Sequence, residues 1–200
     1  MDRDRFVLVA SGPSLTQEQV DYVRGKAVVI VINDNYRLAP WADHQYACDP
    51  QWWQWHEDDP TLLNFQGQKW SQTESWTAED MEHFTKKHRI RFVKSQSGHG
   101  LSTEEGLIYQ GSNSGYQAIN LAYHLGAKKI VLLGYDMQMT NGKSHWFGDH
   151  PNNVKSSYTN WMPFYENLAK SLPGYGLDII NCTKETALTC FPRQLLEEVI

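Results

Sequence analysis

Short apolar runs, each closed by small or polar residues, mark the first part of the chain. Phe6-Val7-Leu8-Val9-Ala10 is the first, and it ends on Ser11-Gly12-Pro13-Ser14. A continuous apolar run of this length, rich in β-formers, predicts a strand buried on both faces that feeds a tight turn. Ser14 or Thr16 can cap a short helix through Tyr22, and Glu18 falls in its first turn, where an acid complements the free N–H groups. Ala27-Val28-Val29-Ile30-Val31-Ile32 predicts a second buried strand ending at Asn33. Two such strands joined by a helix form a βαβ unit, with parallel strands and a right-handed crossover.

The pattern then weakens. Gln45-Tyr46-Ala47-Cys48 predicts a third strand ending at Asp49-Pro50, and residues 51–75 read as irregular structure with a short helix from Pro50 to Glu57. Thr77 to Lys87 predicts a helix with Thr77 as its cap, Arg89 to Val93 a short strand, and Ser95 to Gln110, rich in Gly and Ser, a loop or flap. The clearest helix starts at Ser112 or Ser114, carries an apolar stripe through Leu121, Ala122 and Leu125, and stops at Gly126. Lys129-Ile130-Val131-Leu132-Leu133-Gly134 predicts a central strand ending at Tyr135-Asp136. Met139 to Asn153 is polar, Tyr158 to Leu172 a last long helix, and Leu177 to Ile180 a last strand. This alternation predicts one α/β domain over residues 1–200, Rossmann-like, with a mostly parallel sheet, helices on both faces and a small lid at about residues 139–153.

Composition narrows the partners. A formal charge of −5 argues against a protein held on DNA or RNA by bulk phosphate attraction, but a small phosphorylated ligand needs only a few donors. The three cysteines, Cys48, Cys182 and Cys190, are odd in number and form no CxxC, so neither a zinc ribbon nor a disulfide framework is expected and reduced thiols are the simple reading. No run is long and apolar enough for a signal peptide or a membrane span, and a cytoplasmic location is the default expectation. Eight tryptophans are present, most in the stretches 52–55 and 70–76; these suit a core or an interface first and a stacking platform second.

In open α/β sheets ligands bind beyond the carboxyl ends of the strands. The polar residues that follow the apolar runs are therefore the candidate site. They are Ser11, Gly12, Pro13 and Ser14 after the first strand, Asn33 and Asn35 after the second, Asp49 after the third, and Asp136 after the late strand. The helix opening at Gly111-Ser112-Asn113-Ser114-Gly115 joins them, because a Gly-rich turn at a helix N-terminus offers amides and a positive dipole end to a phosphate. Each piece alone is an ordinary turn or cap; their shared rim gives them weight. His145-Trp146-Phe147-Gly148-Asp149-His150 is the second feature. The spacing of its histidines does not put both on one helical face, and no Cys or Glu completes a set, so no metal site is expected there. A histidine acting as general base near neutral pH is the favoured reading, with His145 and His150 as candidates.

Taken in order, Ser11-Gly12-Pro13-Ser14-Leu15, Val31-Ile32-Asn33-Asp34-Asn35-Tyr36, Asn113-Ser114-Gly115-Tyr116 and Ile130-Val131-Leu132-Leu133-Gly134-Tyr135-Asp136 resemble the bacterial sialyltransferases of glycosyltransferase family 42. They also resemble a related family of uncharacterised, partly phage-encoded proteins with a 6-hydroxymethylpterin pyrophosphokinase-like domain. The resemblance spans most of the chain and is thinnest between Gln51 and Gln110. It implies a Rossmann-like domain with a small lid, and a transferase that uses CMP-sialic acid and requires no metal or other cofactor. Carried over by position, it implies that Gly12, Pro13, Ser14 and Asn33 hold the nucleotide's phosphate and ribose, that Ser114 and Gly115 meet it from the facing helix, and that Asp136 closes the rim. The family's base, a His just before the last long helix, falls on His150, with His145 in reserve. Ser11 and Asp49 stand where the family has Asn, and an acid at Asp49 accepts hydrogen bonds from a donor edge, so the base of the donor need not be cytosine. The alternatives carried forward are a nucleotide-phosphate enzyme of the pyrophosphokinase type, which would need a metal through Asp49, Asp136 or Asp149, and a non-catalytic nucleotide-binding protein.

Overall fold

The computed structural model describes residues 2–148 and 156–200. Eight strands form one sheet: β1 (Asp2–Val9), β2 (Ala27–Ile32), β3 (His44–Tyr46), β4 (Gln68–Gln72), β5 (Ile90–Gln96), β6 (Leu107–Tyr109), β7 (Lys129–Leu133) and β8 (Asp178–Asn181). Their order across the sheet is β6-β5-β4-β3-β2-β1-β7-β8. Every pairing is parallel, so the expected mostly parallel sheet is parallel throughout. The α-helices among the described residues are α1 (Gln17–Tyr22), α2 (Pro50–Trp55), α3 (Pro60–Leu63), α4 (Ala78–His88), α5 (Ser114–His124), α6 (Tyr158–Ser171) and α7 (Leu196–Val199).

Side chains alternate across a strand, and here the two sets enter two cores. Phe6, Leu8, Ile30 and Ile32 pack with Ile119 and Ala122 of α5 and with Tyr165 and Leu168 of α6. Val7, Val9, Val29 and Val31 pack with Val20 of α1, Trp52 and Trp53 of α2, Leu62 of α3, Phe84 of α4 and Leu196 of α7. Both faces of the sheet are therefore covered, which is why β2 and β7 are near-continuous apolar runs. Trp52 and Trp53 of the first tryptophan stretch are core residues.

Two segments depart from the expected elements. Residues 51–75 were expected to be irregular beyond one short helix, yet they also contain α3 and β4. Gln68-Lys69-Trp70-Ser71-Gln72 lacks an apolar pattern because its buried polar side chains find backbone carbonyls instead: Ser71 Oγ donates to Ala47 O at 2.8 Å and Gln72 Nε2 to Cys48 O at 3.0 Å. Burial is paid for by hydrogen bonds rather than by hydrophobicity. The expected loop 95–110 includes the end of β5 and all of β6, an edge strand of three residues. Among the described residues no helix is long and apolar enough to cross a membrane.

The chain runs outward from β1 to the edge strand β6, then α5 carries it back so that β7 lies on the other side of β1. The direction of winding thus reverses at β1, and the crevice beyond the carboxyl ends of β1 and β7 is the place where such folds bind ligands.

Candidate functional site

A cleft with about 880 Å³ of empty space, partly open to solvent, lies at that crevice. Its walls come from the turns after β1 (Ala10, Ser11, Gly12), β2 (Asn33), β3 (Asp49) and β7 (Gly134 to Met137), from the start of α5 (Ser112 to Gly115), and from Ser144, His145, Ser156, Tyr158, Trp161 and Tyr165. The structure therefore brings Ser11, Gly12, Asn33, Asp49, Asn113, Ser114, Gly115, Asp136 and His145 to one cleft. Pro13 and Ser14 stand behind the wall and do not line it. His150 and Asp149 lie outside the described residues.

The turn after β1 is tied down from within. Gly12 N–H donates to Gly134 O at 2.8 Å, Leu15 N–H to Gly12 O at 3.1 Å, and Ser14 N–H to Asp136 Oδ2 at 2.9 Å. Ser14 Oγ donates to Asp136 Oδ1 at 2.8 Å, and Thr140 Oγ1 to Asp136 Oδ2 at 2.9 Å. Asp136 is buried, and desolvation raises its pKa despite these donors. A Cβ on Gly12 would fall 2.1 Å from Asp136 Oδ1 and 2.5 Å from Gly134 O, so this close approach admits only glycine. The amides of Gly12, Ser14 and Leu15 are thus already used. The Gly12, Ser14 and Leu15 donors hold β1 to β7, with Asp136 as the clasp, while the amide of Ser11 finds no acceptor among the described residues.

The opening of α5 is different. Asn113, and neither Ser112 nor Ser114, is the N-cap, its side chain accepting Tyr116 N–H at 2.9 Å and Tyr165 O–H at 2.8 Å. Ser114 Oγ accepts Cys48 N–H and donates to Cys48 Sγ, both at 3.1 Å, which fastens α5 to the end of β3. Burial pushes the Cys48 thiol well up, so it stays protonated. The hydroxyl of Ser114 is therefore committed, but the backbone amides of Ser114 and Gly115 find no acceptor among the described residues. The first turn of a helix leaves such N–H groups unpaired, and the dipole makes them attractive to an anion. Tyr135 O–H donates to Gly115 O at 3.1 Å and supports this end from below.

The opposite wall is a strap from Thr140 to Gly148. Thr140 and Lys143 close a small antiparallel bridge, Trp146 N–H donates to Ser11 O at 3.0 Å, and Tyr158 O–H donates to Ser144 O at 3.1 Å. His145 stands in the lining with Nδ1 3.0 Å from Ser144 Oγ and Nε2 3.5 Å from Ser156 Oγ, its ring stacked on Phe147. Asn33, in the left-handed region at φ +52°, lines the cleft, and its side chain has no hydrogen-bond partner among the described residues. Ser112 and Met137 line it at φ +59° and +52°. Residues held in this sparsely populated region concentrate at functional sites, and these three line one cleft.

Beneath Asn33 the turn is fixed by buried polar contacts. Asp34 Oδ2 accepts Trp52 Nε1–H at 3.0 Å, and Asp34 Oδ1 lies 3.2 Å from His56 Nε2 and 3.7 Å from Arg37 Nη1. His56 thus helps to hold the turn that presents Asn33. Reading from sequence passed over Trp161, Tyr165 and Ser156, which lie on or beside α6; their signal, an aromatic and polar row facing the start of α5, exists only after folding.

None of the described lining residues is a lysine or arginine, and two, Asp49 and Asp136, are acids. Among the described residues no group of three His, Cys, Asp or Glu side chains stands close enough to hold a metal ion. The chain matches no family model, no curated protein and no solved structure.

Proposed function

We propose that the cleft takes a nucleotide-linked sugar and transfers the sugar to an acceptor hydroxyl, with a histidine of the strap as base. The observation that carries this reading is the pairing of two open helix-terminal amides, of Ser114 and Gly115, with His145 across a cleft whose described lining has no cationic side chain. A phosphodiester with a single negative charge is matched by two amides and a helix dipole. A triphosphate, beside Asp49 and Asp136 and with no lysine or arginine in that lining, is poorly matched. The charge that grows on the leaving phosphate falls where the amides stand. His145 takes the proton of the acceptor hydroxyl as the new glycosidic bond forms and the bond from the anomeric carbon to the phosphate oxygen breaks. Burial keeps the phenol of Tyr158 protonated, so it remains a donor in the wall. The sequence resemblance to family 42 sialyltransferases supports the same reading, and the departures at Ser11 and Asp49 leave the base of the donor open.

A thermal-shift screen of nucleotides and nucleotide sugars, with and without divalent metal, tests it. Stabilisation by nucleoside-monophosphate-linked sugars without metal is expected. Stabilisation only by a triphosphate with metal overturns the sugar-transfer reading in favour of phosphoryl transfer, and no stabilisation by any of them overturns nucleotide binding. With a donor in hand, His145→Ala is expected to abolish transfer and leave nucleotide affinity within about twofold; loss with His150→Ala alone would move the base to that residue.

A further inference from the structure

The strap is joined to the rest of the molecule by a contact that the chemistry above does not use. Asn35, in the turn after β2, is fully buried. Its Nδ2 lies 2.8 Å from Val9 O, 2.9 Å from Ile32 O and 3.2 Å from Ser11 Oγ, so the amide nitrogen must face those oxygens. That fixes the orientation of the amide and leaves Oδ1 as an acceptor aimed the other way. Oδ1 accepts Trp146 Nε1–H at 2.7 Å. An indole nitrogen can only donate, so the two groups are complementary in one orientation alone. The backbone of Trp146 also donates to Ser11 O at 3.0 Å, and its ring packs against the core cluster that holds α1 and α2. Its neighbour His145 lines the cleft. Trp146 is thus seated in the body of the protein one residue away from the candidate base.

We propose that Asn35 and Trp146 form a latch that positions His145 over the cleft, a role that rests on the reading of His145 as base. Neither residue meets the ligand: they are positioning residues, and they act by holding the strap against Ser11, whose other side belongs to the cleft wall. A conformational freedom removed before binding is one that the reaction need not remove later.

Trp146→Phe tests this, since it keeps an aromatic ring in place while removing the indole N–H together with part of the ring's area. Hydrogen exchange over residues 140–148 is expected to quicken about tenfold, the factor a hydrogen bond's net worth predicts, while exchange in β1, β7 and α5 stays as in the wild type. The turnover number for sugar transfer is expected to fall about tenfold or more, with the donor KM changed far less. Unchanged exchange in the strap overturns the latch; faster exchange with unchanged turnover overturns its positioning role. If the wild type transfers no sugar, the reading of the site fails, and the latch is judged separately by the NMR shift of the His145 ring, which Phe147 perturbs by stacking. Movement of that shift in Trp146→Phe supports the latch and an unmoved shift overturns it. Should the variant fail to fold, the Trp146 indole N–H of the wild type gives the answer: slow exchange with solvent supports the latch, and exchange as fast as an exposed indole overturns it.

Discussion

Two turns border the cleft, and both read from sequence as phosphate cradles. Ser11-Gly12-Pro13-Ser14 follows β1, and Ser112-Asn113-Ser114-Gly115 opens α5. The first turns most of its donors inward: the amides of Gly12, Ser14 and the following Leu15, and the Ser14 hydroxyl, end on Gly134, Asp136 and Gly12. The second spends its side chains inward, Asn113 on Tyr116 and Ser114 on Cys48, and keeps its first two helical amides open. Glycine and serine serve closure in one turn and reception in the other. What separates them is the neighbour: a buried carboxylate beside the first, the free end of an eleven-residue helix behind the second.

This contrast is broken most severely by Gly12→Ala. Its methyl would overlap a carboxylate and a backbone carbonyl that cannot both withdraw, and destabilisation of about 4 kcal/mol or more is expected in chemical denaturation. Asp136→Asn comes next, at about 2–3 kcal/mol, because it leaves the Ser14 amide facing an NH₂ group or without a charged acceptor. Its pH dependence carries a sign. Burial raises the folded pKa of Asp136 above the unfolded value, so its contribution is full below the unfolded pKa and declines as pH rises through the folded one. The stability gap between wild type and variant should therefore narrow in melts taken from about pH 3 to pH 7. Asn113→Ala removes a cap and the acceptor of Tyr165, for about 1–2 kcal/mol, and should weaken nucleotide binding as the helix end frays. Gly115→Ala is the mildest for the fold. Its methyl would meet Tyr165 Oη at 2.9 Å and Asn113 Oδ1 and Tyr135 Cε1 at 3.1 Å, side-chain atoms that must each give a little, and alanine's helix preference offsets part of that, so stability should fall by only about 1 kcal/mol. Calorimetry should nonetheless show nucleotide affinity falling about tenfold, because the methyl crowds the open amides. If Gly12→Ala folds well, or Gly115→Ala binds as the wild type does, the division of labour between the turns is wrong.

The sheet was legible where strands are apolar throughout. β1, β2 and β7 are adjacent interior strands whose apolar residues are buried on both faces, and burial alone writes their pattern. β4 was not legible, since Ser71 and Gln72 are buried through bonds to Ala47 and Cys48, carbonyls that no local pattern announces. The cleft was legible as a set of positions, because the ends of parallel strands share a rim, and the fold brings most of the chosen residues there. The duties of those residues were not. Asp136 and Ser14 bond across 122 positions of chain, and Trp146 and Asn35 across 111, so clasp and latch are properties of the folded molecule.

The strand order has a consequence for how the protein is made. β1 is synthesised well before its second neighbour β7, which follows β6 and α5 and pairs Lys129 with Arg5. Until then one edge of β1, whose residues Phe6 to Val9 are buried in the finished fold, has no partner, a hazard for association between nascent chains. Such distant pairing is slow to form, since the intervening chain must be closed before any contact rewards it. The cleft, drawn from both sides of that late seam, is completed by the same event, so a truncated product ending before β7 would expose the seam and carry no site.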